Sequence, residues 1–191
     1  MMKRMLAMIL VIVLMLCAVA VAESAVIREK TIMIEGTDEV IVETLYESPL
    51  GYQLWYPADW FAAYHEEECD FFDAIDEEAN VGVSIADQEI TPEYADETLT
   101  GEIEIALANG GELVGDIRQW QLESGATVKC AELTYGDAFN PVYYICVEDK
   151  VFCVACFYPA DAAEGFGRRI EEMISTFEWI IPDAANGQSE S

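Results

Sequence analysis

Short segments of alternating or β-branched apolar residues recur along this chain and predict that most of it is β-strand. Two such segments flank Gly36-Thr37-Asp38, which predicts a β-hairpin. Residues 142–147 and 151–158 are apolar at consecutive positions, so these strands are predicted to be central and covered on both faces. The other strands are predicted over residues 30–35, 39–46, 52–56, 70–75, 81–86, 113–122 and 126–135, with a short helical turn over residues 58–64.

Two further segments have the spacing of amphipathic helices. Thr91-Pro92-Glu93 combines an N-cap hydroxyl, a proline and an acid favoured by the helix dipole, and predicts a helix that runs to about Asn109. Asp161-Ala-Ala-Glu164 predicts a capping box for a second helix. The predicted inner faces are Ala95, Leu99, Ile103 and Ala106 in the first helix, and Phe166, Ile170, Met173, Ile174 and Phe177 in the second. Together the elements predict an α+β fold, a mostly antiparallel sheet flanked by helices.

The N-terminal segment has the layout of a secretory signal peptide. Lys3 and Arg4 precede an apolar run, and Ala20-Val21-Ala22 offers small residues for a signal peptidase. The alternative is an uncleaved anchor, although an apolar run of about 17 residues is short for spanning a bilayer. We therefore predict a signal peptide over residues 1–22, a single α+β domain with an N-terminal hairpin over residues 23–181, and a polar flexible tail over residues 182–191. The mature protein is expected to be secreted or in the cell envelope, without stable membrane insertion.

The charge of the chain limits its partners. The net charge is −28, and it becomes −30 without the signal peptide, which carries two basic residues and no acidic ones. Such a surface repels nucleic acid, so a nucleic-acid partner is excluded. Solubility outside the cell explains the acidity, and attraction of cations is the alternative. Asp73, Asp76, Glu77 and Glu78 lie close together and make calcium binding that alternative, but they form no loop motif for calcium.

Five cysteines remain after signal removal, an odd number that does not suit a disulfide framework. Most lie in apolar strand-like runs and are predicted to be reduced core residues. Cys153 and Cys156 match C-x-x-C, but positions three apart in a strand point to opposite faces. The candidate disulfide is Cys146 with Cys153. It requires a hairpin turn at Asp149-Lys150, whereas a turn at Glu148-Asp149 places Cys146 opposite Val151 instead.

Catalytic motifs are scarce. His65 is the single histidine, and with Cys69 it makes an incomplete zinc set. Neither Ser84 nor Ser175 lies in a glycine-flanked nucleophile elbow, and the chain has no glycine-rich phosphate loop. We therefore predict no catalytic residue, no cofactor and no metal site. A hydrolase that uses His65 is the least favoured alternative.

The segment Gly51-Tyr-Gln-Leu-Trp-Tyr-Pro-Ala-Asp-Trp60 concentrates aromatic residues and suggests a binding platform or a core. Strand alternation separates its side chains between two faces, with Tyr52, Leu54 and Tyr56 on one face and Gln53 and Trp55 on the other. Most of the segment is therefore predicted to be core. Trp55, next to polar Gln53 on its face, is the candidate exposed aromatic residue for partner binding.

The same segment resembles the opening of the PsbP-like superfamily. The resemblance lies in residues 46–52, in Leu54-Trp-Tyr-Pro57 with Trp60, and in the terminal Ser175-Thr-Phe177. This superfamily includes the photosystem II extrinsic protein, a eukaryotic Ran-binding import factor and bacterial lipoproteins. The resemblance implies an αβα sandwich used for binding or assembly rather than catalysis, and no functional residue transfers with it.

The sequence thus predicts an exported bacterial member of this superfamily, a non-enzymatic binding or accessory domain of the cell envelope or extracellular space. Its partner, a protein or a small molecule, is not identified by any motif. The photosynthetic hallmarks are missing, which argues against transfer of that role.

Overall fold

The structure, a computed structural model, describes residues 25–34 and 36–180. The predicted signal peptide and the predicted polar tail lie outside the described residues. All strand pairs are antiparallel, in one four-stranded and one ten-stranded sheet. The predicted class, a mostly antiparallel β-structure with two helices, is confirmed.

The elements follow in chain order. The strands are β1 (Ile27–Ile34), β2 (Thr37–Glu47), β3 (Tyr52–Tyr56), β4 (Phe61–Glu66), β5 (Cys69–Ala74), β6 (Gly82–Asp87), β7 (Glu112–Leu113), β8 (Arg118–Gln121), β9 (Thr127–Ala131), β10 (Leu133–Tyr135), β11 (Ala138–Phe139), β12 (Val142–Val147), β13 (Lys150–Pro159) and β14 (Glu178–Trp179). The α-helices are α1 (Ala95–Ala108) and α2 (Arg168–Ser175). Short 3₁₀ turns occupy Glu77–Ala79, Pro92–Tyr94 and Ala160–Ala162, and a π-helical turn occupies Ala163–Gly167.

The small sheet has the strand order β1-β2-β3-β14 and begins with the predicted hairpin. The turn between β2 and β3 depends on Gly51, whose φ is +92°. A Cβ at this position would also lie 3.1 Å from the ring of Trp179 on β14. Glycine is therefore required here both by backbone conformation and by the close approach of the indole.

The large sheet follows the path β4-β5-β6-β13, continues through β12 and β9 to β8, and carries a side branch of β11, β10 and β7 on β13. The central position predicted for residues 142–147 and 151–158 is confirmed, because β12 and β13 pair with each other and each has a second neighbour. Consecutive residues of β12 are buried in different hydrophobic clusters. Tyr143 belongs to one hydrophobic cluster and Tyr144 to the other.

Each helix packs in its own cluster. The predicted inner stripe of α1 is buried with Tyr144 and Val151 of the central strands. The predicted apolar face of α2 is buried with Tyr52 and Leu54 of the small sheet and with the opposite face of the large sheet. The periodicity of both helices therefore identified their buried faces correctly.

The β1–β2 hairpin is joined to α2 by ion pairs. Lys30 Nζ lies 2.7 Å from Glu172 Oε2. Arg169, almost fully buried, pairs with Glu39 and donates to the Gly165 carbonyl at 3.0 Å. Its guanidinium carbon also lies 3.5 Å from the ring centroid of Trp60. These contacts hold the small sheet against the C-terminal helix.

Three local predictions are wrong. The continuous strand predicted over residues 113–122 is divided into β7 and β8, with residues 114–117 outside both. The helical turn predicted over residues 58–64 is mostly strand β4, which pairs with β5 from Phe61–Ala74 to Glu66–Cys69. Pairing along a complete strand outweighs the short-range helical signal. The capping box predicted at Asp161 does not form, because a 3₁₀ turn and a π-helical turn occupy this segment and no side chain caps either of them.

The register of the β12–β13 hairpin corrects the candidate disulfide. Glu148 has φ +46° and the turn lies at Glu148-Asp149, so Cys146 opposes Val151 and Cys153 opposes Tyr144. Both cysteines are free thiols. The interpretation of C-x-x-C is confirmed, since Cys153 packs against one hydrophobic cluster and Cys156 belongs to the other.

Candidate functional site

A buried carboxylate on β5, that of Asp70, connects the two sheets. Asp70 on β5 is fully buried and accepts hydrogen bonds from Tyr46 OH at 2.6 Å, from Tyr52 OH at 2.5 Å and from the hydroxyl of Ser48. His65 Nδ1 lies 2.8 Å from Asp70 Oδ1, because the two residues oppose each other directly in the β4–β5 pair. Residues of β2, the following turn, β3 and β4 therefore converge on one carboxylate.

The tyrosines of this network are held as donors. Burial, together with the hydrogen bond to Asp70, raises the pKa of Tyr52 far above its ordinary value, and the same causes raise the pKa of Tyr46. Both phenols therefore keep their protons at any physiological pH. A buried carboxylate with several donors stabilises the packing of the strands that supply them.

The network does not have the order of a hydrolase site. In a catalytic triad, histidine lies between the nucleophile and the acid, and takes the proton of the nucleophile. Here Asp70 lies between Ser48 and His65 and receives a hydrogen bond from each side. Ser48 thus donates to a carboxylate and not to an imidazole. This arrangement connects strands, and in it His65 contacts Asp70 and not the Ser48 hydroxyl.

Three of the four acids that make up the calcium alternative, Asp73, Asp76 and Glu77, line an open cleft of about 560 Å³, and Glu78 does not. Gly82 and Ser84 of β6 also line this cleft. Asp76 accepts a hydrogen bond from the backbone of Glu78 at 3.1 Å and so caps the 3₁₀ turn. Among the residues that the structure describes, no group of three or more His, Cys, Asp or Glu side chains is placed to hold a metal ion.

Trp55 lies in a second cavity, a groove of about 530 Å³ that also contains Trp120. We call this cavity the tryptophan groove. Alternation along β3 directs Tyr52 and Leu54 into the core and places Trp55 on the other face, where it is half-buried and not fully exposed. Trp120 lies on β8, the last strand of its sheet. The groove therefore lies between the small sheet and the edge of the large sheet. Its remaining lining residues are Arg28, Lys30, Gln121, Leu122, Glu123, Ser124, Ser175, Thr176, Phe177 and Glu178.

Hydroxyl groups join the walls of the tryptophan groove. The backbone N–H of Trp55 donates to Thr176 Oγ1 at 2.8 Å, and this hydroxyl donates in turn to the Met173 carbonyl at 2.7 Å. Ser124, in the β8–β9 turn, donates to the Phe177 carbonyl at 2.8 Å. The end of α2 thus contacts both walls, which fixes their separation.

The two cations that line the groove, Arg28 and Lys30, are paired within the protein. Arg28 Nε donates to Glu43 Oε2 at 2.6 Å, and its guanidinium carbon lies 4.3 Å from the ring centroid of Trp55. The donor in this hydrogen bond is Nε, and the two terminal Nη groups of Arg28 take no part in it. Gln53 Nε2 donates to Glu178 Oε2 at 2.7 Å. The groove consequently presents aromatic rings beside hydrogen-bonding groups of both kinds.

Sequence reasoning identified Trp55 and missed its partners in the groove. Trp120 stands in Arg118-Gln-Trp-Gln121, a short polar strand with a single aromatic residue. That pattern is typical of an exposed edge strand and could have identified Trp120 as a second candidate aromatic residue for binding. Arg28 lies in the first strand, and only the pairing of β1 with β2 and of β2 with β3 brings it over Trp55.

Comparison with models of protein families and with curated proteins gives no match. Among solved structures, the solution structure of the cyanobacterial PsbP protein (CyanoP) of Synechocystis is similar, with a TM-score of 0.53 and 14% identity over 72% of this chain and 92% of that chain. A crystal structure from Bacteroides thetaiotaomicron matches with a TM-score of 0.42 and 17% identity over 72% of this chain and 48% of that chain. The chain has a PsbP-like fold, which confirms the resemblance stated above.

A search of the described residues for helices with the length and apolar character needed to cross a membrane finds none.

Proposed function

We propose that this protein, with its PsbP-like fold, is an exported, non-enzymatic binding or accessory domain that acts at the cell envelope or outside the cell. The observation that carries the proposal is the tryptophan groove, where Trp55 and Trp120 from different sheets line one open cavity beside paired polar groups. Aromatic residues that line a concave surface are the usual anchors of binding sites. In this proposal α1 and α2 form the outer layers of an αβα sandwich.

Export is supported by the N-terminal sequence. A basic pair, an apolar run and Ala20-Val21-Ala22 form the features that a signal peptidase reads. We expect the mature protein to begin at Glu23, and its strong acidity suits solubility outside the cell. Fractionation of the producing cells with mass measurement of the recovered protein tests this. A full-length protein retained in the cytoplasm would contradict it.

A non-enzymatic role is supported by the environment of the reactive groups. His65 and Ser48 both contact Asp70, and neither is arranged to activate the other. Burial raises the pKa of Cys130 to about 11 and that of Cys153 to about 12, so these thiols stay protonated and unreactive. Unchanged turnover in a His65→Ala variant, or no turnover on a broad substrate panel, removes the hydrolase alternative.

The groove is tested by a binding screen. Wild-type protein and a Trp120→Ala variant are applied to a mixed array of saccharides and peptides. We expect at least one ligand class to bind the wild type and to lose binding in the variant. Tyr94→Ser is the matched control, since Tyr94 is 53% exposed and does not line the groove. Binding that is indifferent to Trp120 would refute the groove as the binding surface.

Calcium binding stays the alternative from another class. It depends on Asp73, Asp76, Glu77 and Glu78, of which the first three line the open cleft. Thermal unfolding with and without millimolar calcium distinguishes the two functions, because a ligand of the folded state raises the unfolding temperature. An unchanged unfolding temperature removes the calcium alternative.

A further inference from the structure

We infer that the tryptophan groove binds an uncharged oligosaccharide built of pyranose rings. The inference rests on the proposed function, since it names the ligand class of the same groove. Three properties carry it: the aromatic walls, the mixture of hydrogen-bond donors and acceptors around them, and the internal pairing of the two cations beside a surplus of negative charge.

Two tryptophan side chains form the aromatic walls of the groove. Trp55 and Trp120 are both half-buried, so part of each indole is open to the groove while the rest packs in the protein. Trp120 is held edge-on against Tyr143 with ring centroids 6.3 Å apart, and Trp55 is held by the guanidinium of Arg28. Rings held in this way lose little freedom on binding. The C–H faces of a pyranose are apolar and pack on such surfaces.

The polar lining suits hydroxyl groups. A sugar hydroxyl both donates and accepts, so a saccharide site needs donors and acceptors together. The terminal nitrogens of Arg28 are donors, whereas the carboxylates of Glu123 and Glu178 accept. Glu178 is oriented by Gln53, and Arg28 by Glu43. The groove, at about 530 Å³, is within the range of small-ligand sites.

Charge excludes the acidic saccharides. Arg28 is paired with the fully buried Glu43, and Lys30 with Glu172, so neither cation is uncompensated. Glu123 and Glu178 add negative charge to the groove, and the chain as a whole carries −28. A uronate or a phosphorylated sugar would meet repulsion both at long range and in the groove. An uncharged saccharide meets none.

The test is a titration of the purified mature protein followed by intrinsic fluorescence, since two of the four tryptophans line the groove. The probes are an uncharged hexose oligosaccharide, an N-acetylhexosamine oligosaccharide, a uronate oligosaccharide of equal length and a pool of extended peptides. We expect saturable binding of an uncharged oligosaccharide, at least about tenfold weaker in Trp120→Ala. The uronate should bind at least about tenfold more weakly than the uncharged ligand.

Variants at exposed positions keep the test independent of folding. Glu123 is exposed, so Glu123→Ala removes an acceptor without disturbing the core, and it should weaken binding several-fold. Tyr94→Ser should leave the affinity unchanged. Circular dichroism of each variant confirms that the fold is retained.

The outcomes separate the two proposals. Equal binding of uronate and uncharged saccharide overturns the inference, because it contradicts the charge argument. Binding of peptides alone, lost in Trp120→Ala, also overturns it, and indicates pairing of an extended segment with the edge strand β8 while the groove remains the binding surface. If no ligand depends on Trp120, the proposed function fails as well.

Discussion

Replacing Asp70 by asparagine should destabilise the junction of the two sheets strongly. The carboxylate uses both oxygens: Tyr46 and His65 contact Oδ1, and Ser48 and Tyr52 contact Oδ2. Asparagine has nearly the same shape but a single acceptor oxygen. In either orientation its NH₂ group faces two groups that contacted the carboxylate: the buried Ser48 and Tyr52, or the partly exposed Tyr46 and His65.

The magnitude follows from those two lost bonds. A hydrogen bond to a charged group contributes about 1.5–3 kcal/mol, and a buried donor without a partner costs about 1–3 kcal/mol. Two lost bonds of this size lead us to expect that Asp70→Asn lowers the free energy of unfolding by about 3–5 kcal/mol. A domain of ordinary stability, about 5–15 kcal/mol, would lose a large part of it.

The assay is urea unfolding followed by far-ultraviolet circular dichroism and by tryptophan fluorescence. Asp73→Asn is the matched control, because Asp73 lies on the same strand, is exposed, and accepts a hydrogen bond from Tyr64 at 2.7 Å on the protein surface. We expect this variant to change the free energy of unfolding by about 0.5 kcal/mol. Equal unfolding midpoints for the two variants would refute the structural role assigned to the Asp70 network.

Three further predictions concern the core, a turn and the thiols. Leu99→Ala on α1 should lower the free energy of unfolding by about 2–5 kcal/mol, because the Leu99 side chain is 1% exposed. Leu107 is 50% exposed on the same helix, so Leu107→Ala should lower it far less. Similar unfolding midpoints of the two variants in urea would contradict the inner face assigned to α1. Gly51→Ala should lower the free energy of unfolding by about 1–2 kcal/mol more than Gly125→Ala. Both glycines have a similar positive φ, but only Gly51 lies against Trp179. Equal decreases of the unfolding temperature in the two variants would contradict the role of that contact. Stability should be constant at neutral pH and fall as the pH rises above about 9, because burial raises the pKa of Cys130 to about 11 and that of Cys153 to about 12 from an unfolded value of 9.0, and the unfolded chain therefore ionises first. The decline between about pH 9 and 11 should be less steep in a Cys130→Ala variant, and an unchanged slope in that variant would assign the decline to other groups.

Local pattern determined most of the secondary structure of this chain. The hairpin, the central strands and the buried faces of both helices follow from the spacing of apolar residues. The failure at residues 58–64 has a specific cause. A segment of this length has no strong preference of its own, and the neighbouring β5 provides a complete set of pairing partners for it.

The cysteine pairing shows a different limit. The residues of the β12–β13 hairpin allowed two turns, and each turn implies a different partner for Cys146. The left-handed conformation of Glu148 selected one of them. A shift of a single residue in the turn changes every opposed pair in a hairpin, so a preference for one turn has large consequences.

The sequence by itself determined the faces of each element, and with them the burial of Tyr52 and Leu54 and the partial exposure of Trp55. Only the tertiary structure decided which faces meet. It placed Trp120 and Arg28 beside Trp55, and Tyr46, Ser48, Tyr52 and His65 around Asp70. The physical reason is that side-chain alternation is a property of a single strand, whereas pairing, register and the packing of one sheet on another depend on contacts between residues far apart in the chain.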